Sequence, residues 1–187
     1  MESRHYGPGP HGLRMMLPIL DAFLQIALRR RGPEDLPDSR FLLLLAGAAY
    51  VLTQAVLAAP VYGSPFALAR SLVLDVLLLC GCLWGLLRLA GHATRYRQTL
   101  TAMLGTGALL SVCMLPFNYW LDVAAEPGKP AIAPTIGLLA VVSWSLVVNG
   151  HIFSRALSRP FVAGLAVSIA YFFLNYLVFA RLGPPPA

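Results

Sequence analysis

The run PFALARSLVLDVLLLCGCLWGLLRLAGHATRYRQTLTAMLGTGALLSVCMLP, residues 65–116, consists of an apolar segment, a short basic turn and a second apolar segment. Phe66–Leu89 and Gln98–Leu121 each reach the length of about 20 residues that a helix needs to cross the hydrocarbon of a bilayer. The basic stretch 88–97 where they meet carries Arg88, Arg95 and Arg97. A backbone in hydrocarbon has no water to bond, so it must satisfy its own N–H and C=O groups, and a helix does this within one segment. The stretch therefore reads as a transmembrane helical hairpin turned around arginines. It also holds Asp75, the one carboxylate placed deep inside an apolar run.

The rest of the chain has the same character. Of its 187 residues, 58% are hydrophobic and 12% charged, and the mean hydropathy is +0.70. A soluble domain carries about 25% charged residues. Half that share leaves too little polar surface for a water-soluble globule, and the membrane supplies the missing solvent. Three further segments are long and apolar enough to cross: Phe41–Tyr62, Pro130–Phe153 and Pro160–Arg181. Glycine, proline or charges punctuate the intervals. The expected fold is an all-α polytopic membrane protein, a bundle of five transmembrane helices filling residues 41–181, at 41–62, 66–89, 98–121, 130–153 and 160–181.

Ahead of the bundle, Met1–Gly12 is rich in Gly, Pro and His without periodicity and is expected to be a disordered tail. Residues 13–40 read as a cytoplasmic amphipathic helix and its linker. In Leu17–Arg31 the apolar positions Leu17, Leu20, Leu24, Ala27 and Leu28 fall near helical spacing. Pro18 suits a first turn, and Gly32-Pro33 ends the helix. The segment is too short to span. It is not expected to be a signal peptide, because it ends in arginines and lacks a small-residue cleavage site. It is expected instead to lie in the interface of the inner leaflet, with Arg29, Arg30 and Arg31 among the headgroups of anionic lipids. The alternative is a helix packed against the ends of the bundle. In the linker Glu34–Ser39, Asp38 or Ser39 can cap the next helix. Leu182–Ala187 is a proline-rich tail.

The net charge of +6 comes almost wholly from arginine. All of the 14 Lys and Arg except Arg70, Lys129 and Arg181 fall on one side of such a bundle. Basic loops stay in the cytoplasm, which puts the N-terminus inside and, after an odd number of spans, the C-terminus outside. The expected location is a bacterial-type cell (inner) membrane, multi-pass. Asn118-Tyr119-Trp120 then anchors the outer interface. Because the arginines flank apolar segments, topology and headgroups explain them, and no nucleic-acid partner is expected. The expected partners are the bilayer with its anionic lipids and other membrane proteins or further copies of the chain. An odd span count also argues against the two-fold inverted repeat of many transporters.

Asp75 carries the strongest chemical signal. A charge at that depth costs about 2.5–3.5 kcal/mol on insertion scales, so something must offset it. Arg70 lies five residues earlier in the same helix. That spacing turns about 140° past a full circle, which puts the two side chains on different faces and lets Arg70 snorkel to the outer interface. Gln54, Asn149 and Asn175, with Thr53, are polar candidates on other spans. Asp75, Arg70, Gln54, Asn149 and Asn175 together make the candidate intramembrane polar site. It is either a proton-linked or polar-solute site, or interhelical hydrogen bonding worth about 0.6 kcal/mol per bond. The second reading is preferred.

Other features report packing. Ala102, Gly105, Gly107 and Ala108 in the third span, and Gly81, Gly85, Gly137 and Gly164 elsewhere, let helix backbones approach in lipid. The three cysteines, Cys80, Cys82 and Cys113, lie inside spans and form neither a disulfide framework nor a recognisable metal site. Ser143, Ser145 and Ser168 are single hydroxyls expected to bond back to their own helices. No nucleophile–base pair, zinc motif or phosphate loop is recognisable, so no catalytic, cofactor or metal residue is assigned.

The turn Gly91-His92-Ala93-Thr94-Arg95-Tyr96-Arg97-Gln98-Thr99-Leu100 leads into a Gly/Ala-rich third span that ends near Pro116, and the fourth span ends in Trp144…His151-Ile152-Phe153. With a short amphipathic segment before five spans, this layout resembles the small bacterial members of the Yip (Ypt-interacting protein) domain family, over roughly Leu17–Phe179. The resemblance implies a five-span helical bundle with a cytoplasmic N-terminus and no settled activity. The Asp-Leu-Tyr-Gly-Pro-type signature of the eukaryotic relatives is absent, so their trafficking and GTPase-binding roles are not carried over. The expected function is non-enzymatic: a membrane-organising or interaction protein. The first alternative is a carrier or channel for a small solute or proton, coupled through Asp75. The second is an intramembrane enzyme.

Overall fold

The computed structural model describes residues 11–124 and 131–183. Among them six helices follow one another: α1 (His11–Ala27), α2 (Arg40–Ala58), α3 (Pro65–Leu89), α4 (Tyr96–Ala124), α5 (Ile132–Ala156) and α6 (Phe161–Leu182). Short 3₁₀ turns at Pro33–Asp35 and Ala93–Arg95 precede α2 and α4. The five helices from α2 onward are long and apolar enough to cross a membrane. The protein is an all-α, multi-pass membrane bundle.

The helix ends follow local chemistry. Ser39 caps α2, its Oγ accepting from the Leu42 N–H at 3.4 Å. Ser64 caps α3, accepting from the Ala67 N–H at 3.1 Å, and Pro65 follows where a missing N–H is harmless. Asp38, the other capping candidate, pairs with Arg97 at 3.2 Å. α2 ends at Ala58, short of the expected Tyr62, because Pro60 cannot donate to the helical ladder. α4 and α5 run past the expected Leu121 and Phe153, to Ala124 and Ala156. Hydropathy marks the edge of the hydrocarbon, and a helix can continue beyond it into polar residues.

α1 departs most from expectation. It already includes His11 and Gly12, so Pro18 lies within it rather than in a first turn. It stops at Ala27, before the arginines. Arg29 adopts a left-handed φ of 60°, and the N–H groups of Arg29 and Arg30 turn back to the Ile26 and Gln25 carbonyls, each at 2.8 Å. That closure ends helices and usually employs glycine. The remainder of the expected tail, residues 1–10, lies outside the described residues, as do 125–130, with Lys129 and Pro130, and 184–187.

The same helix is docked on the bundle rather than resting freely on a leaflet. Phe23, Ile26 and Ala27 are buried. The Phe23 ring fills a notch at Gly105, where any Cβ would collide with it. Trp144 Nε1 donates to the Ala27 carbonyl at 3.2 Å, and His151 Nε2 sits 2.9 Å from the Arg31 carbonyl. Leu20, Leu24 and Leu28, one turn apart, form an exposed apolar stripe on the outer side.

α4 is the axis of the bundle. Half of its apolar window is buried inside the protein, 50% against 17% or less for the other spanning helices. Every residue from Thr99 to Thr106 is buried. The threonine hydroxyls there need no outside partner: Thr99, Thr101 and Thr106 donate one turn back to the carbonyls of Arg95, Arg97 and Ala102 at 2.8, 2.8 and 2.7 Å. α1, α2 and α5 pack on α4, and α6 packs on α5. The α5–α6 crossing is backbone against backbone. A Cβ on Gly164 would run into the Gly150 carbonyl, and one on Gly150 would lie 2.9 Å from the Leu165 Cα. Ser168 bonds across this crossing to the Leu146 carbonyl at 2.9 Å, not within its own helix as expected, because the glycines bring that carbonyl within reach. Gly107 and Gly137 likewise receive the rings of Tyr50 and Phe117. Gly81 and Gly85 differ: apart from their chain neighbours and the surrounding backbone of α3, nothing lies within 4 Å of the position of either Cβ.

Candidate functional site

Asp75 lies about 15 Å along α3 from Pro65 at 1.5 Å per residue, near the middle of the hydrocarbon. Its carboxylate is the end of a chain of hydrogen bonds drawn from three other helices. Tyr50 Oη on α2 donates to Asp75 Oδ2 at 2.7 Å. Asn175 Nδ2 on α6 donates to Asp75 Oδ1 at 3.4 Å. Gln54 Nε2 donates to Tyr50 Oη at 3.2 Å, and Ser111 Oγ on α4 donates to Gln54 Oε1 at 3.1 Å. Each donor points towards Asp75, which an ionised carboxylate can only accept.

The sequence places these groups by simple periodicity. Tyr50 and Gln54 are four apart and share a face of α2. Gly107 lets the Tyr50 ring lie against α4, 2.9 Å from where a Cβ would be, so the phenol can span from α4 to α3. Ser111, one turn after Gly107, meets the Gln54 amide from the same side of α4. Interhelical bonds of this kind are worth about 0.6 kcal/mol each in a membrane.

The site has one open side. A cavity of about 260 Å³ borders Gln54, Asp75 and Asn175, and its other walls include Ala58, Tyr62, Ser71 and Phe179. Those residues lie towards the end of the bundle away from the arginine-rich turns. In the opposite direction along α3, Leu79, Leu83 and Leu87 are all buried in the core. The geometry can therefore hold a polar group at mid-depth and admit something small from one end.

Of the expected site residues, Asp75, Gln54 and Asn175 come together. Arg70 does not join them: it is exposed, and its Nη2 donates to the Leu182 carbonyl at 3.0 Å, closing the C-terminus of α6. The calculated divergence of Arg70 from Asp75 around α3 accounts for this, and a guanidinium suits helix-end carbonyls. Asn149 stays apart as well. It sits on α5, which contributes nothing to the chain, and its side chain makes no hydrogen bond to a described residue. Thr53 bonds to the Ala49 and Tyr50 carbonyls of its own helix, each at 3.0 Å. Arg29, Arg30 and Arg31 are exposed at the arginine-rich end, with the Arg29 guanidinium 4.3 Å from the centre of the Phe161 ring.

Tyr50 and Ser111 are the members that sequence reasoning missed. The signal for Tyr50 is a phenol in the middle of an apolar span, whose O–H needs a partner that hydrocarbon cannot provide. Ser111 gives less away, because a helical serine ordinarily satisfies itself. Among the described residues no group of three or more His, Cys, Asp or Glu side chains could hold a metal ion. Set against protein-family models, curated proteins and solved structures, the chain matches none of them.

Proposed function

We propose that this multi-pass membrane protein is a non-enzymatic organising or interaction protein, of the kind that a likeness to the small bacterial Yip domain proteins implies. It sits in a cytoplasmic membrane, with its N-terminus inside and its C-terminus outside. The observation that supports this reading best is the closed chain from Ser111 to Asp75. Polar groups at depth satisfy one another and tie α2, α3, α4 and α6 together. Among the described residues no buried side-chain polar atom lacks a hydrogen bond. Such a chain fixes the mutual position of helices that have no hydrophobic drive to associate in lipid. The protein then offers its surface to lipids and to partner helices or further copies of itself. The open face of α3 at Gly81 and Gly85 is shaped for close helix approach.

A second reading, a carrier for a proton or small solute coupled through Asp75, is favoured by the cavity that borders this carboxylate. Proton and small-solute flux in liposomes separates the two. The organising reading expects purified wild-type protein to give no flux above empty liposomes, with Asp75→Asn indistinguishable from it. Flux that wild type supports and Asp75→Asn abolishes would replace it with the carrier reading.

A further inference from the structure

The arginine-rich end of the bundle holds a second cavity, unconnected with Asp75. It measures about 450 Å³ and lies between the start of α4 and the end of α5, beneath the Pro33-Glu34 turn. That volume falls within the range of small-molecule sites, about 300–1,000 Å³. Its walls include the guanidinium-bearing residues Arg95, Arg155 and Arg159, with Ser154 and Ser158. One carboxylate borders it, Glu34, bonded to Arg155 Nη2 at 2.6 Å.

Three guanidiniums around one cavity repel each other, and positive-inside topology asks only that they lie at this end of the bundle, not that they line a common space. The backbone shows that they are positioned. Ser158 has a left-handed φ of 52°, at the place after a helix where glycine is the easiest choice. Its hydroxyl accepts from Arg95 Nη1 at 2.7 Å, and the same nitrogen reaches the Ala156 and Arg155 carbonyls at 3.1 and 3.3 Å. Arg95 is thus a fixed wall. Arg159, by contrast, makes no side-chain bond to a described residue, and Arg155 is held only by Glu34. Ser154 is 8% exposed and borders the cavity, and its hydroxyl bonds no described residue. One carboxylate among three guanidiniums leaves a net double positive charge. That matches a phosphate monoester, whose oxygens suit the planar forks of arginine.

We propose that this cavity binds a phosphate monoester through Arg155, Arg159 and Ser154, with Glu34 as an internal competitor that Arg155 exchanges for the phosphate. A lipid headgroup and a soluble phosphorylated compound share this chemistry. The test uses the full chain in neutral maltoside micelles, with binding measured by calorimetry. One arm titrates inorganic phosphate and glycerol 3-phosphate. The other adds phosphatidate to the micelles, with diacylglycerol as the control lipid.

Arg159→Gln is expected to bind about tenfold more weakly, the loss of one charge-assisted contact. Glu34→Gln is expected to bind more tightly, an outcome that damage to the fold would not produce. Binding in the lipid arm alone assigns the site to a headgroup, and binding in the soluble arm assigns it to a free phosphate ester. No binding in either arm overturns the proposal. So does an equal loss on Arg30→Gln, which lies outside the cavity, because the attraction would then be diffuse charge rather than a site.

Discussion

Tyr50 is the hinge of the polar chain, accepting from Gln54 and donating to Asp75. Removing its hydroxyl breaks both bonds at once. Tyr50→Phe should lower stability by about 1 kcal/mol, on the basis of roughly 0.6 kcal/mol per interhelical bond. Combined with Asp75→Asn, the two changes should fail to add by about 0.5–1.5 kcal/mol, since contacting groups in one network couple. Unfolding in a graded denaturing detergent measures this, and additive effects would mean that the phenol and carboxylate do not interact. Ser158 poses a different question. Ser158→Gly loses the Arg95 contact but relieves the left-handed backbone, and these effects of about 1 kcal/mol each oppose. Ser158→Ala loses the contact and keeps the strain. The alanine variant should therefore melt below the glycine variant, and the reverse order would mean that the left-handed backbone at Ser158 carries no strain. At this scale the sequence exposes Asp75, Gln54 and Asn175, because a polar group in an apolar run has no neutral explanation. It hides Tyr50, because tyrosine is also a common interfacial anchor. It admitted Asn149 to the site because composition gives depth along a span but not which neighbour a face meets, whereas the helical angle already turned Arg70 away from Asp75.

Helices pack here where backbones come close. Gly164→Ala places a methyl group against the Gly150 carbonyl, and the structure must move to accept it. Such overpacking should cost about 1–3 kcal/mol. Gly81→Ala, with open space around it, should stay within about 0.5 kcal/mol of wild type. Comparing both variants by thermal unfolding in detergent checks the α5–α6 crossing directly, and equal effects would contradict it. Phe23→Ala empties the notch at Gly105 and should cost about 3–5 kcal/mol if the pocket stays rigid. Its expected signature is local: faster amide exchange confined to α1 and the face of α4 beneath it. The spans themselves were legible, since five apolar runs of the required length leave little choice. Their ends were less so, and the docking of α1 was only an alternative. Phe23 meets Gly105 across 82 positions of chain, and nothing in either local pattern announces the pairing.

Seen whole, the molecule is a bundle built around α4 whose outer surface remains apolar. Phe66, Leu77, Val162, Phe173 and Leu177 are all more than half exposed, which suits contact with lipid chains rather than water. Its two ends differ in charge. The turns around Arg29–Arg31, Arg95–Arg97 and Arg155–Arg159 gather at one end, whereas Arg70 and Arg181 sit at the other. This asymmetry supports the proposed threading, which would turn the arginine-lined cavity inward and the Asp75 cavity outward. Single cysteines, introduced after replacing Cys80, Cys82 and Cys113 with alanine, test it most directly when labelled in intact cells with a membrane-impermeant maleimide. The account predicts that Ser64→Cys labels at once and that Thr94→Cys labels only after the membrane is opened. Immediate labelling at position 94 with protection at position 64 would contradict it.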